Sequence, residues 1–330
     1  ALGLLHNLSA RAPDVCVVLG DGSALPLICH SIRTAIDLET AALSARANGV
    51  SEKVASASLD GDTSLAVIRF GSLALCNISI GSFVKNRPFS LKMIEVVWST
   101  IIDSLEYVVQ PIIKDDEINN EDTVCHAVEM TEACFSALNE FTRTHTTALH
   151  RNHEASVLKS AILIGSICIE LNRPAVSATK YFMNEATSET CRRHIMNIVF
   201  NGVESMARIV EHACAHDKAC ERSLMPSLES IISQMVLEYN ESWYESILKG
   251  VKEENLVLVR AEVEDIKNSV DHLDQVNRTF LRDRALTVST TRVVVDVENR
   301  GEHEEEVVDE DGDGGEEDIK NEESDPCIIA

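Results

Sequence analysis

The run Ala1-Leu-Gly-Leu-Leu-His-Asn-Leu-Ser9 returns as Gly71-Ser-Leu-Ala-Leu-Cys-Asn-Ile-Ser79. In both copies, small and aliphatic residues lead into an Asn-aliphatic-Ser close. A looser copy is Ala133-Cys-Phe-Ser-Ala-Leu-Asn-Glu-Phe141, and a fainter one is His194-Ile-Met-Asn-Ile-Val-Phe-Asn201. Their asparagines, Asn7, Asn77, Asn139 and Asn197, lie 70, 62 and 58 residues apart. Self-similarity at a near-constant period is the mark of stacked structural repeats.

The segment that follows the first copy, Asp14-Val-Cys-Val-Val-Leu-Gly-Asp-Gly-Ser-Ala-Leu-Pro-Leu-Ile-Cys29, reads as a short helix, a glycine turn and a second helix opening on Pro26. Proline is tolerated in a first turn because the N–H it lacks has no intrahelical acceptor there. This arrangement resembles the armadillo repeat, in which a short first helix, a glycine turn and an Ala/Ile-Pro-Leu-Leu second helix precede a third helix closing on Asn-Leu. Residues 24–36 would then be the second helix and 65–79 the third, with 41–63 an inserted loop. The resemblance implies an all-α, right-handed superhelical solenoid of the armadillo/HEAT kind over residues 1–253. Because the sequence opens in mid-pattern at Ala1, truncation at the N-terminus is expected. Repeat spacing near 60 exceeds the roughly 40–47 residues of such units, so long helices or insertions are expected.

Further helices follow from apolar periodicity. Met93, Ile94, Val97, Ile101, Leu105 and Val108 recur at three and four residues, a buried helical stripe. Residues 157–171 are apolar nearly all round and read as a central helix; 206–215 and 224–237 form another pair. Thr142–Glu154, holding His145, His150 and His153, reads as a polar link. From 254 to 285 a different helix is expected, with Val259, Val263, Ile266, Val270, Leu273, Val276 and Phe280 on one seam. It reads as a cap on the solenoid, with a short dimerising coiled coil as the alternative.

Composition agrees with helix packing. Hydrophobic residues make up 45% of the chain, enough for a continuous core, yet only 4% are aromatic. Seven prolines and 14 glycines are too few for a long all-β fold. The net charge of -25 is concentrated at one end: residues 296–330 hold 16 acidic side chains against Arg300 and Lys320. That composition predicts a disordered acidic tail over 286–330. Strong negative charge excludes nucleic acid as a partner and favours a protein partner with a basic segment. Ten cysteines, mostly inside apolar runs, suggest free thiols in a reducing, cytoplasmic setting. No stretch reads as a membrane span.

The last four residues, Cys327-Ile-Ile-Ala330, match the pattern read by protein prenyltransferases, with the terminal Ala pointing to farnesyl on Cys327. One lipid chain gives only marginal binding, and the acidic residues upstream repel anionic lipid, so peripheral membrane contact would be weak and reversible. His212, His216 and Cys220 share one helical stripe, but two or three ligands without a C-x2-C pair do not make a zinc site. Asp309, Asp311, Asp313 and Gly314 imitate a calcium loop, yet its twelfth position is Lys320 rather than Glu. No metal, cofactor or catalytic constellation is expected.

Armadillo proteins that read nuclear signals hold basic peptides with a Trp four residues before the third-helix Asn. Here Gly3, Leu73 and Phe135 occupy those positions, which removes the tryptophan row. Asn7, Asn77 and Asn139 are the candidates to line a concave groove and clamp a partner's backbone; the blander reading makes them packing residues. The expected function is a non-catalytic interaction scaffold or adaptor. The alternatives are a small-GTPase regulator resembling the Smg GDP-dissociation stimulator, which is acidic and armadillo-like, and a co-chaperone or assembly factor.

Overall fold

The structure is a computed structural model that describes residues 1–47, 61–114, 121–172, 189–215, 224–249 and 251–301. Among them there is no strand. The described residues hold ten α-helices, in order: α1 (Leu2–Arg11), α2 (Pro13–Asp21), α3 (Ala24–Ala47), α4 (Gly61–Val84), α5 (Leu91–Lys114), α6 (Glu121–Leu171), α7 (Glu189–Ala215), α8 (Met225–Glu238), α9 (Glu241–Leu248) and α10 (Leu256–Gly301). Residues Ala1–Leu281 form one compact unit; a second begins at Arg282, of which the helical backbone to Gly301 is described.

Local chemistry sets the breaks. Ala12 is extended (φ -143°, ψ 98°) because it precedes Pro13, and Pro13 then starts α2 with Asp14 in the first turn. Gly22 ends that helix, its N–H donating to the Val18 carbonyl at 3.1 Å. At the end of α4, Asn86 takes a left-handed φ of 50°, which asparagine tolerates, and the Arg87 N–H returns to the Ser82 carbonyl at 2.9 Å. Asn240 caps α9, its Oδ1 accepting from the N–H groups of Ser242 (2.9 Å) and Trp243 (3.3 Å).

The core is built on two central helices. α4 packs against α1, α2, α3 and α6, and α6 packs in turn against α4, α5, α7 and α8. Close approach depends on glycine at several crossings, Gly71, Gly165 and Gly202 among them. A Cβ on Gly71 would lie 2.6 Å from Ile32 Cγ1, and one on Gly202 would lie 2.5 Å from Cys168 Sγ and 2.9 Å from Phe135 Cε1. The α10 residues Val259, Val263, Ile266, Val270 and Leu273 are buried within this same unit. Of the seam anticipated for that helix, these five positions are buried, Val276 is partly buried, and the side chain of Phe280 lies outside the described residues.

Three sequence expectations differ from the structure. Thr142–Glu154 is not a link but continuous α6, and His145 is buried there between aromatic rings. Part of the expected 41–63 loop is helical: α3 runs to Ala47 and α4 starts at Gly61. The final helix runs beyond 285 to Gly301, because no Gly or Pro interrupts the backbone ladder from Leu256 to that residue. In addition, α4 residues 63–84 are long and apolar enough to cross a membrane by length and composition, and half of that stretch is buried here. Arg69 and the scattered serines interrupt the apolar run in sequence, although its mean hydropathy is high.

Candidate binding seam

Helices α1, α4, α6, α7 and α10 are joined in succession by side-chain hydrogen bonds, each between residues 60 to 71 apart in sequence. At the α1–α4 junction, Asn77 Nδ2 reaches the His6 carbonyl at 3.3 Å, the Ser9 hydroxyl at 3.2 Å and His6 Nδ1 at 3.2 Å. The Arg69 guanidinium pairs with Glu129 between α4 and α6, and Ser72 Oγ lies 3.4 Å from Cys134 Sγ beside it.

The α6–α7 junction is the richest. The Glu132 carboxylate accepts from Asn197 Nδ2 at 2.6 Å through Oε1 and from His194 Nδ1 through Oε2. Asn139 Nδ2 donates to Asn201 Oδ1 at 2.7 Å, and Asn201 Nδ2 approaches Ser136 Oγ at 3.2 Å. Arg208 donates to Asn139 Oδ1 and also to its carbonyl oxygen, at 3.3 Å, while holding Glu204 at 2.6 Å. Glu204 passes the row to α10, accepting from Ser269 Oγ at 2.7 Å; Arg193 donates to Glu262 at 2.8 Å alongside.

Electrostatically the seam is largely self-neutralised. Arg69, Arg143, Arg193 and Arg208 face Glu129, Glu140, Glu262 and Glu204. His194 is raised from its ordinary pKa, chiefly by its hydrogen bond to Glu132; burial opposes this, Glu132 and Glu129 reinforce it, and Arg69 works against it.

The structure places the sequence candidates differently from one another. Asn7 is exposed on α1, Asn77 is half-buried at the α1–α4 junction, and Asn139 is buried with both ends of its amide engaged. Phe135 is fully buried against Gly202, whereas a Cβ added at Gly3 would meet nothing within 4 Å. In space the partner of Asn139 is Asn201, one helical turn beyond Asn197. That pairing was readable, because Asn201 follows Asn139 by the same 62 residues that separate Asn139 from Asn77. Glu132, His194, Glu204 and Arg208 were missed, since only the packed register brings them together. Cys327, His216, Cys220 and residues 309–320 lie outside the described residues, as do the side chains of His150 and His153.

Elsewhere the surface offers shallow features. Between α3 and α5 an open depression of about 520 Å³ is lined by Arg33, Asp37, Asp103, Glu106 and Tyr107. Burial raises the Asp103 carboxyl there, with Arg33 opposing and Asp37 adding to the effect. Another, of about 620 Å³, lies where Lys85 and Arg87 meet Asp14 and Asp21. Among the described residues no three His, Cys, Asp or Glu side chains converge as a metal site would require. No protein-family model matches the chain, and neither a curated protein nor a solved structure shows significant similarity to it.

Proposed function

We propose that this chain is a non-catalytic scaffold or adaptor, an armadillo-like right-handed solenoid that holds a segment of a partner protein along the seam of α1, α4, α6, α7 and α10. The observation that carries this reading is the regular succession of junctions. Five helices bond each to the next at sequence separations of 60 to 71 residues. Stacked repeats of this kind offer a long, continuous surface that suits an extended segment of a partner.

The partner is a protein with a basic segment, favoured by the net charge of -25. Farnesylation of Cys327 would add a weak, reversible membrane tether in the cytoplasm. Because Asn139 is engaged on both sides, a partner's backbone would be read by Asn7 or by groups freed on binding rather than by a row of idle asparagines.

Site-directed photo-crosslinking tests this. Benzoylphenylalanine at Asn7, exposed on α1 at the end of the seam, should capture a partner in cells, whereas the same group at Glu106 on α5 should not. Equal capture from both faces, or none from the seam, would remove the reading. For the lipid, mass spectrometry of the C-terminal peptide from eukaryotic cells should show a modified Cys327, and only free Cys-Ile-Ile-Ala would refute it.

A further inference from the structure

Four seam carboxylates have a guanidinium as counter-charge: Glu129 with Arg69, Glu140 with Arg143, Glu204 with Arg208 and Glu262 with Arg193. Their charge balance is fixed at every physiological pH, because arginine does not deprotonate. Glu132 differs. Its two oxygens are taken by Asn197, which is neutral, and by His194, which is charged only when protonated. Both side chains keep about a fifth of their surface open to solvent.

We infer that Glu132 is the seat for one lysine or arginine side chain of the partner, and that His194 is its resident, proton-dependent competitor. The inference rests on the basic-segment reading above. When His194 carries a proton, Glu132 is balanced and an incoming cation gains little. When His194 is neutral, it still donates Nδ1–H to Glu132, but one negative charge stands uncompensated midway along the seam. A partner cation then supplies the missing counter-charge. The groups facing His194 are consistent with that balance: Glu132 and Glu129 on α6, Arg69 on α4, and on its own helix Arg193, which is committed to Glu262. Arg69 is held by Glu129, so neither neighbour replaces the histidine as a partner for Glu132.

Linkage makes the effect reciprocal. If loss of the His194 proton strengthens binding, the bound cation must lower the affinity of His194 for its proton by the same factor. For a partly exposed charge pair that factor is about three- to fivefold.

The test follows the His194 imidazole by NMR in the full-length chain, alone and with saturating nona-arginine peptide, from pH 5 to 9. In the free protein its titration should lie above that of an ordinary histidine, and the peptide should lower the midpoint by roughly half a pH unit. In Glu132→Gln the free midpoint should fall towards the ordinary value and the peptide should no longer move it. His194→Arg, which locks the counter-charge in place, should weaken peptide binding and flatten its pH dependence. Peptide that binds while leaving the His194 midpoint unmoved would overturn the inference, since it then sits elsewhere, as on the acidic C-terminal residues. Absence of binding at every pH would remove the basic-segment reading as well. PH-dependent binding that persists in His194→Arg would overturn the gate alone.

Discussion

Helices α1 and α4 carry the same nine-residue pattern and meet opposite fates. Leu4 and Leu8 on α1 are 64% and 46% exposed, whereas their counterparts Ala74 and Ile78 on α4 are completely buried. On α4, Ile78 is covered by α2, whose Gly20 would place a Cβ 3.5 Å from Ile78 Cγ2. α1 has no such cover on that side among the described residues. The pattern thus specifies a helix with two apolar faces, and burial depends on which neighbours are present rather than on the helix itself. A third copy inverts the comparison again: 62 residues beyond Phe83, which is 50% exposed, sits His145, which is buried.

Truncating matched positions should break the symmetry most sharply. Ile78→Ala should cost about 2–5 kcal/mol in a denaturant titration, while Leu8→Ala should stay within roughly 0.5 kcal/mol. Comparable losses would mean that α1 is covered on both faces.

The inverted position gives the next largest effect. Burial between Phe89 and Phe141, with ring centroids 4.6 and 4.8 Å away, lowers His145 from 6.5 to about 4. A folded value below the unfolded one means that the unfolded chain binds the proton more readily. Stability is then fully present above pH 6.5 and is lost as pH falls towards 4, by about 3 kcal/mol in all. His145→Phe should abolish that component of the acid loss, measured as melting temperature between pH 4 and 7. His194 acts in the opposite direction: its raised pKa contributes stability at low pH that fades as pH rises through its folded value.

Smaller changes refine the picture. Gly71→Ala should destabilise by about 1–3 kcal/mol, because Ile32 is itself buried and has little room to withdraw. Gly3→Ala, with nothing within 4 Å of the new methyl, should instead stabilise by up to about 1 kcal/mol. Asn77→Ala should cost about 1 kcal/mol through loss of its bonds to α1. Thermal melts of these three variants rank the α1–α4 contact against the α3–α4 contact.

Periodicity made the helices legible, and turn residues such as Pro13 and Gly22 made several of their ends legible too. Continuity was not. Thr142, His145 and Thr146 look solvated in sequence, yet Phe89, from the link between α4 and α5, covers this side of α6, and the threonine hydroxyls bond back to carbonyls of their own helix. The site was legible to a lesser degree. Asparagines at a fixed spacing can be counted, but whether an amide faces a partner or the neighbouring helix is decided by register between elements, which single-chain periodicity does not encode. Asn139 makes this plain, since its row is completed by Asn201 and Arg208, residues 62 and 69 positions away.

The buried thiols have a practical use. Cys29 is pushed up to about 11, and Cys76, Cys134 and Cys168 to about 12, so almost none is thiolate at neutral pH. Cys16 joins them on α2, which places a silent sulfhydryl on α2, α3, α4 and each half of α6. Alkylation of the four buried thiols, Cys16, Cys29, Cys134 and Cys168, must wait for local opening, whereas Cys76 is only partly covered, and mass-resolved labelling turns each buried one into a clock for its own helix. Their order of modification would show whether the molecule frays from α2 inward or loosens at α6 first.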